Sequence, residues 1–479
     1  MTSDSLIDRK HWLILIVLCL GTLMIVLDTT IVNVALPSIQ TSLDFTPDSL
    51  SWVVNAYMLT FGGFLLLGGK LGDIFGHRRL FLIGITLFTL ASLACGSAQT
   101  QGFLIAARAA QGIAGAIVSA VSLSLIMTLF SHPAQRAKAM GIFGFVAAGG
   151  GSLGVLLGGV LTGALNWHWI FLVNLPIGIA VILLGLKFLP HIRRDATHEH
   201  LDIVGAVTIT SALMLAVYAI VNGNQVGWAT LRTLGMLALA AILLIVFVIV
   251  ESRVKSPLMP LSLIKMRNVA TSNIVGVLWA AAMFAWFFMC ALYLQSILHL
   301  TPLQVGLAFL PANIIMAFFS IGLSAKIVMK FGIKKCLCVG LFIASLGLLL
   351  LARAPVDGQV LVDVVPCMIL LGIGAGMAFN PMLLAAMSDV PAHESGLASG
   401  LVNTSFMMGG ALGLAALASV AVIRTQSLLA SGLDQTGSLL GGYHLAFLLG
   451  GIFALLGSVI AALFLRIENS SNAPAPPMH

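Results

Sequence analysis

Asp28 is the acidic residue that falls deep inside an apolar run of this 479-residue chain. An ionised carboxylate at such a depth costs about 2.5–3.5 kcal/mol on membrane-insertion scales, so it must face protein or water and find a partner. A buried acid can take up and release a proton or hold a cation. It can also be a structural aspartate, paired with a neighbour or capping a broken helix, and the residue type alone leaves both open. The natural partner is Arg108, in the stretch Arg108-Ala109-Ala110-Gln111-Gly112 of another apolar run. The two runs cross in opposite directions, which brings Arg108 and Asp28 to similar depth. A pair lowers the cost of both charges; the alternative is an arginine snorkelling outward.

The second concentration of chemistry is Gly69-Lys70-Leu71-Gly72-Asp73-Ile74-Phe75-Gly76-His77-Arg78-Arg79. It packs five charged or titratable groups and three glycines into eleven residues of a chain that is only 8% charged. Such a cluster cannot lie in hydrocarbon, so it is a tight loop at a membrane face. Its glycines let the flanking helices approach. Two roles fit it: a gate of charge pairs built on Asp73, Arg78 and Arg79, or a basic loop that sets topology.

The elements that must position these residues follow from composition. The chain is 59% hydrophobic, with mean hydropathy +1.09, whereas a soluble protein carries about 25% charged residues. The class is a polytopic, all-α integral membrane protein. With roughly 20 apolar residues per span, fourteen spans are expected, at about 12–36, 51–70, 80–98, 103–127, 140–165, 169–189, 203–222, 231–250, 269–298, 303–327, 335–353, 363–387, 397–423 and 443–466. The first run continues through Asp28 to Pro37 with no small-residue cleavage site, so it is a span and not a cleaved signal. With the N-terminus cytoplasmic, 19 of the 23 lysines and arginines fall on that side. The exceptions are Arg108, Arg232, Arg353 and Arg424. This bias puts both termini in the cytoplasm of a multi-pass protein of the cell (inner) membrane. The net charge of +7 does not imply nucleic acid, because the basic residues punctuate apolar runs instead of forming a patch.

An internal repeat organises the chain. Phe75-Gly76-His77-Arg78-Arg79 recurs as Phe331-Gly332-Ile333-Lys334-Lys335, an offset of 256 residues. Lys70 and Gly84 map onto Lys326 and Gly340, whereas Asp73 maps onto Met329. The repeat implies a six-helix half over 1–190 and a second over 269–466. An inserted helix pair with its linkers fills 191–268, and a Pro-rich tail over 467–479 is expected to be disordered.

The glycine-rich loop resembles the loop between helices 2 and 3 of the major facilitator superfamily of transporters. Leu27-Asp28-Thr29-Thr30-Ile31-Val32-Asn33-Val34-Ala35-Leu36-Pro37 resembles the first-helix signature of its fourteen-helix drug:proton antiporter branch. Gly150-Gly151-Ser152-Leu153-Gly154-Val155-Leu156-Leu157-Gly158-Gly159 resembles the antiporter motif of helix 5, with Val155 where the family usually has proline. Three further stretches match the branch. They are Asn166 to Gly178, with His168 where arginine is frequent, Leu201 to Gly205, and Tyr293-Leu294-Gln295. Asn403 to Gly410 is similar to the helix-13 motif, but Phe406 and Met407 replace a frequent Arg and Gln. The resemblance covers about residues 10–466.

The resemblance implies alternating access around a central cavity and proton-coupled export of an amphiphilic or cationic compound, such as a drug or biocide. It makes Asp28 and Arg108 the proton-coupling pair. Asn33, Tyr57, Gln111, Gln295 and Asn313 are cavity-lining candidates, with interface anchoring or interhelical hydrogen bonding as the plainer reading of Tyr57, Gln295 and Asn313. Gly69, Gly72, Asp73, Gly76, Arg78 and Arg79 form the cytoplasmic gate, and Gly150, Gly154, Gly158 and Gly159 the antiporter motif. His168 is a pH sensor or, more plainly, part of a membrane-edge anchor. The expected partners are a small-molecule substrate, protons and the bilayer, with the protein a monomer. Rival readings keep the fold but export a metabolite, lipid or siderophore, or make the chain a non-transporting sensor. No ATP-binding loop, catalytic constellation or metal pattern is present in the sequence, so no cofactor, metal or enzymatic activity is expected.

Overall fold

Apolar stretches this long can satisfy their backbone groups in hydrocarbon only as helices, and the computed structural model of the chain is all-helical. It describes residues 3–47, 49–130, 133–190, 202–254, 257, 261–319, 323–390 and 395–467, with no strand among them. The linker 191–201, the end of the tail from 468 and the side chain of Asp73 lie outside the described residues. Eleven helices among the described residues are long and apolar enough to cross a membrane, and two shorter apolar helices accompany them, Leu153–Ala164 and Pro302–Phe318.

The first set is α1 (Ser3–Ser42), α2 (Trp52–Phe75), α3 (His77–Gly96), α4 (Gln101–Leu129), α5 (Pro133–Ala164), α6 (Trp169–Leu172) and α7 (Asn174–Phe188). Here α1 packs on α5 and α7, α2 on α4, and α3 on α4 and α7. Next come α8 (Ile203–Val226), α9 (Leu231–Arg253) and the short α10 (Leu261–Lys265). The last set is α11 (Arg267–Leu292), α12 (Pro302–Phe318), α13 (Ser324–Phe331), α14 (Ile333–Leu351), α15 (Val365–Met387), α16 (Ser395–Ala430) and α17 (Gln435–Phe464). In it α11 packs on α16 and α17, and α14 on α15 and α17. The two sets meet through α2 on α16, α5 on α12 and α1 on α11, while α8 lies against α2, α9 and α16.

The repeat is visible in the backbone. Gly76 ends α2 and starts α3 at φ +89°, and Gly332 ends α13 and starts α14 at φ +84°. Each donates its N–H to the carbonyl four residues earlier, Gly72 and Val328. With no Cβ to clash, glycine alone adopts such dihedrals cheaply, so the same sharp reversal recurs 256 residues apart. At the same end as the Gly332 reversal, the start of α11 and the ends of α15 and α17 are tied by buried Asn268. Its Nδ2 donates to Ser388 Oγ (3.0 Å), Asp389 Oδ2 (2.7 Å) and the Arg466 carbonyl (2.9 Å).

Two breaks in helical regularity position candidate site residues. The sixth expected span is divided at Val173, so that α7 begins at Asn174. At the end of α11 the helix widens into a π-helical turn, Tyr293–Ile297. Such turns remove regular backbone pairing and re-aim side chains.

Candidate functional site

Asp28 lies on α1, fully buried, and three side chains from two other helices converge on its carboxylate. Arg108 on α4 donates from Nη1 to Oδ2 at 2.5 Å. Gln111, one turn further along α4, donates from Nε2 to Oδ1 at 2.7 Å. Asn174, at the start of α7, donates to the same oxygen at 3.0 Å. The helical period puts Arg108 and Gln111 on one face, three residues apart. The break after Val173 brings Asn174 to bear on α1. The carboxylate thus has one cation and two amide donors, as an ionised acid in a dry site requires.

The donors are themselves held. Arg108 is 1% exposed. Its Nε donates to the Val53 carbonyl at 2.9 Å, and Nη1 also reaches Gln111 Oε1 at 2.7 Å. Its guanidinium carbon lies 4.4 Å from the centre of the Tyr57 ring and 5.6 Å from that of Phe171. Ser92 Oγ, on α3, accepts from Gln111 Nε2 at 2.7 Å and from Asn174 Nδ2 at 3.3 Å. Cys95 Sγ lies 3.5 Å from Gln111 Oε1. Five helices of the first set, α1, α2, α3, α4 and α7, therefore lock one proton-accepting group. A proton on Asp28 would turn an acceptor-only carboxylate into a donor. It would cancel the charge pair with Arg108 and weaken the amide hydrogen bonds, which a neutral carboxyl still accepts but less strongly. That is a local event able to bias how α1, α3, α4 and α7 pack.

The structure brings together Asp28, Arg108, Tyr57 and Gln111. It does not bring the other cavity candidates to them. Asn33, also on α1, turns back on its own helix, donating to the carbonyls of Thr29 (3.4 Å) and Thr30 (3.3 Å). Gln295, in the π-helical turn, donates to the Val34 carbonyl of α1 at 2.9 Å, a bond between the two sets of helices. Asn313, on α12, is buried, and its Nδ2 has no partner among the described residues. Ser92 and Asn174 were not singled out by sequence reasoning as members of this site. The signal for Asn174 was present, an amide inside the Asn166–Gly178 stretch with no place on a lipid-facing surface.

The glycine motifs act by admitting backbone. A Cβ at Gly158 would lie 2.7 Å from the Ile31 carbonyl of α1, and one at Gly159 would lie 2.6 Å from the Pro302 carbonyl of α12. Gly150 and Gly154 also face α1, against Leu23 and Leu27. The motif wedges α5 between α1 and α12. In the loop cluster, Gly72 packs against His77 and Val121, while Gly69 has Ala120 at the edge of contact. Arg78 Nη2 donates to the Leu186 carbonyl of α7 at 2.6 Å, within the first set, and Arg79 is exposed. His168 stacks on Trp167 with centroids 3.8 Å apart. Burial pulls its pKa below the ordinary histidine value, and a hydrogen bond with the Ala98 backbone acts the other way.

Comparison with known proteins agrees with this architecture. The family model of the Major Facilitator Superfamily matches residues 18–414. The chain is 38% identical over 462 residues to the puromycin resistance protein pur8 of Streptomyces alboniger, covering 95% of this chain and 91% of that one. It is 36% identical to the cephamycin export protein CmcT of Amycolatopsis lactamdurans, over 85% of this chain and 84% of that one. It is 32% identical to the lincomycin resistance protein of Streptomyces lincolnensis, over 98% and 94%. Among solved structures, the nucleoside transporter NupG superposes with a TM-score of 0.66 at 12% identity, covering 95% of this chain and all (100%) of that one. The inward-open xylose transporter XylE from E. coli gives 0.64 at 15%, covering 96% and 98%. At those identities the likeness shows the fold. The chain belongs to the Major Facilitator Superfamily. It is a multi-pass membrane transporter of small molecules and not an enzyme.

Proposed function

We propose that the protein exports amphiphilic or cationic small molecules, antibiotics among them, in exchange for protons. The observation that carries proton coupling is the buried Asp28–Arg108 pair with its amide donors. A charge pair this dry is a costly way to hold helices together, and replacing such pairs by apolar residues is often neutral or stabilising. A titratable carboxylate is what the arrangement provides and an apolar contact does not. In this conformation Arg108 already neutralises Asp28. A substrate cation would have to displace it, so protonation and substrate act on one ion pair from two sides. The relatives named for resistance to puromycin and lincomycin and for export of cephamycin support the substrate class.

The proposed organisation is fourteen spans: two six-helix bundles over 1–190 and 269–466 with an inserted pair between them. Both termini are cytoplasmic and the protein works as a monomer in the cell membrane. The bundles alternate access by breaking and remaking contacts such as Gln295 to Val34 and Gly159 to Pro302. One proton moving down 100 mV releases about 2.3 kcal/mol, and a pH unit adds about 1.4 kcal/mol. Together these sustain a gradient of a few hundred-fold for a neutral substrate exchanged with one proton. For a monovalent cation exchanged one for one, the electrical contribution cancels and only the pH difference remains. Purified protein in proteoliposomes should accumulate an amphiphilic cation when a pH gradient is imposed. Accumulation that ignores the gradient would contradict proton coupling.

A further inference from the structure

Two of the four cations that depart from the cytoplasmic bias, Arg353 and Arg424, come together in the structure. Arg353 follows α14, Arg424 is near the end of α16, and both line one cavity of about 400 Å³ with His444 of α17. The other walls are Leu349, Ala352, Gly441, Leu445 and Leu448. Neither guanidinium has an ion-pair or side-chain hydrogen-bond partner among the described residues. The macrodipoles of α14 and α16 favour a cation at those ends. That accounts for tolerance of each arginine, but it supplies no anion to two of them at one cavity. His444 is spoken for on one side: its Nε2 lies 2.7 Å from the Ala354 carbonyl, which can only accept, so Nε2 donates. The cavity volume lies within the range of about 300–1,000 Å³ usual for small-ligand sites.

The surroundings say which anion. Beside the cavity, α14 and α17 expose Leu346, Leu350 and Ile452, an apolar strip that continues the Leu349 and Leu448 wall along the membrane-spanning surface. An inorganic anion would use the arginines and ignore the strip. A molecule with a charged head and a long hydrocarbon tail uses both.

We propose that this cavity binds the phosphodiester headgroup of an anionic phospholipid from the leaflet at that end of the helices, with Arg353 and Arg424 on the phosphate. An acyl chain follows the exposed leucines. Guanidinium pairs with phosphate by charge-assisted, often bidentate, hydrogen bonds. The site belongs to the second set of helices, whereas the Asp28 cluster lies in the first. It rests on the membrane placement of the chain and not on proton coupling, so either idea can fail without the other.

The test uses delipidated full-length protein in detergent. Binding of phosphatidylglycerol and of phosphatidylcholine with the same chains is measured by native mass spectrometry, with inorganic phosphate as competitor. Wild type should retain phosphatidylglycerol at least about tenfold better, a preference that falls with added salt. Arg353→Gln with Arg424→Gln should erase the preference without moving the thermal midpoint, and the Arg353→Lys/Arg424→Lys pair should keep part of it. If the glutamine pair does not fold, the wild-type preference, its salt dependence and the lysine pair still decide. Equal retention of the two lipids, or a preference that survives the glutamine pair, overturns the proposal. Competition by inorganic phosphate at lipid-like concentrations would make it a free-anion site. Displacement of the lipid by a transported amphiphile would make it a substrate vestibule. Either result also overturns it.

Discussion

At the scale of single residues, Asp28 and Arg108 are worth less as a pair than the sum of their separate removals suggests. Arg108→Gln leaves a buried carboxylate without its cation, and removing one member of such a pair costs about 3–5 kcal/mol. Asp28→Asn strands the guanidinium in the same way. The double variant Asp28→Asn/Arg108→Gln removes both charges and should recover most of that loss. Chemical denaturation or thermal melting in detergent, analysed as a double-mutant cycle, should therefore give a strongly non-additive result. Additive losses would mean that the two groups do not interact. Asp28, Arg108 and Gln111 were legible because charge or amide inside an apolar run has few innocent explanations. Asn33 has the same amide chemistry yet satisfies itself on its own helix, through the carbonyls of Thr29 and Thr30. Residue type could not separate Asn33 from Asn174, because the difference lies in where the chain breaks.

At the scale of elements, the two copies of the glycine-rich loop share a backbone reversal but not its chemistry. A Cβ at Gly76 would meet nothing within 4 Å, so Gly76→Ala costs only backbone strain, about 1–3 kcal/mol. Thermal melting should show that loss, and Gly332→Ala should show a similar one. The acid is present in one copy alone. Asp73→Asn should impair transport at near-normal protein abundance, whereas Met329→Ala, at a side chain 79% exposed, should be mild. Whole-cell efflux with quantified membrane protein separates the outcomes, and equal effects would argue that both loops only set topology. The repeat was visible from spacing, since Phe75-Gly76 and Phe331-Gly332 need the same turn. The π-helical turn at Tyr293–Ile297 was not, because a widened helix turn carries no periodic signature in an apolar run.

At the scale of the whole molecule, the proposed topology puts 19 of 23 basic residues on one side. Reporter fusions at Thr197 and Ala392 should read cytoplasmic and one near Gly223 external; a cytoplasmic reading at Gly223 would remove the inserted pair. The proposed transport cycle belongs to this scale, because in it the ion pair in one set of helices is coupled to contacts made with the other. The most direct measurement is proton release, read by a pH-sensitive dye, when an amphiphilic cation is added to purified protein in proteoliposomes. Wild type should release protons in step with substrate uptake, and Asp28→Asn should release none while keeping part of its binding of neutral compounds to the apolar walls. If Asp28→Asn exchanges protons for substrate at the wild-type rate, the coupling does not pass through Asp28.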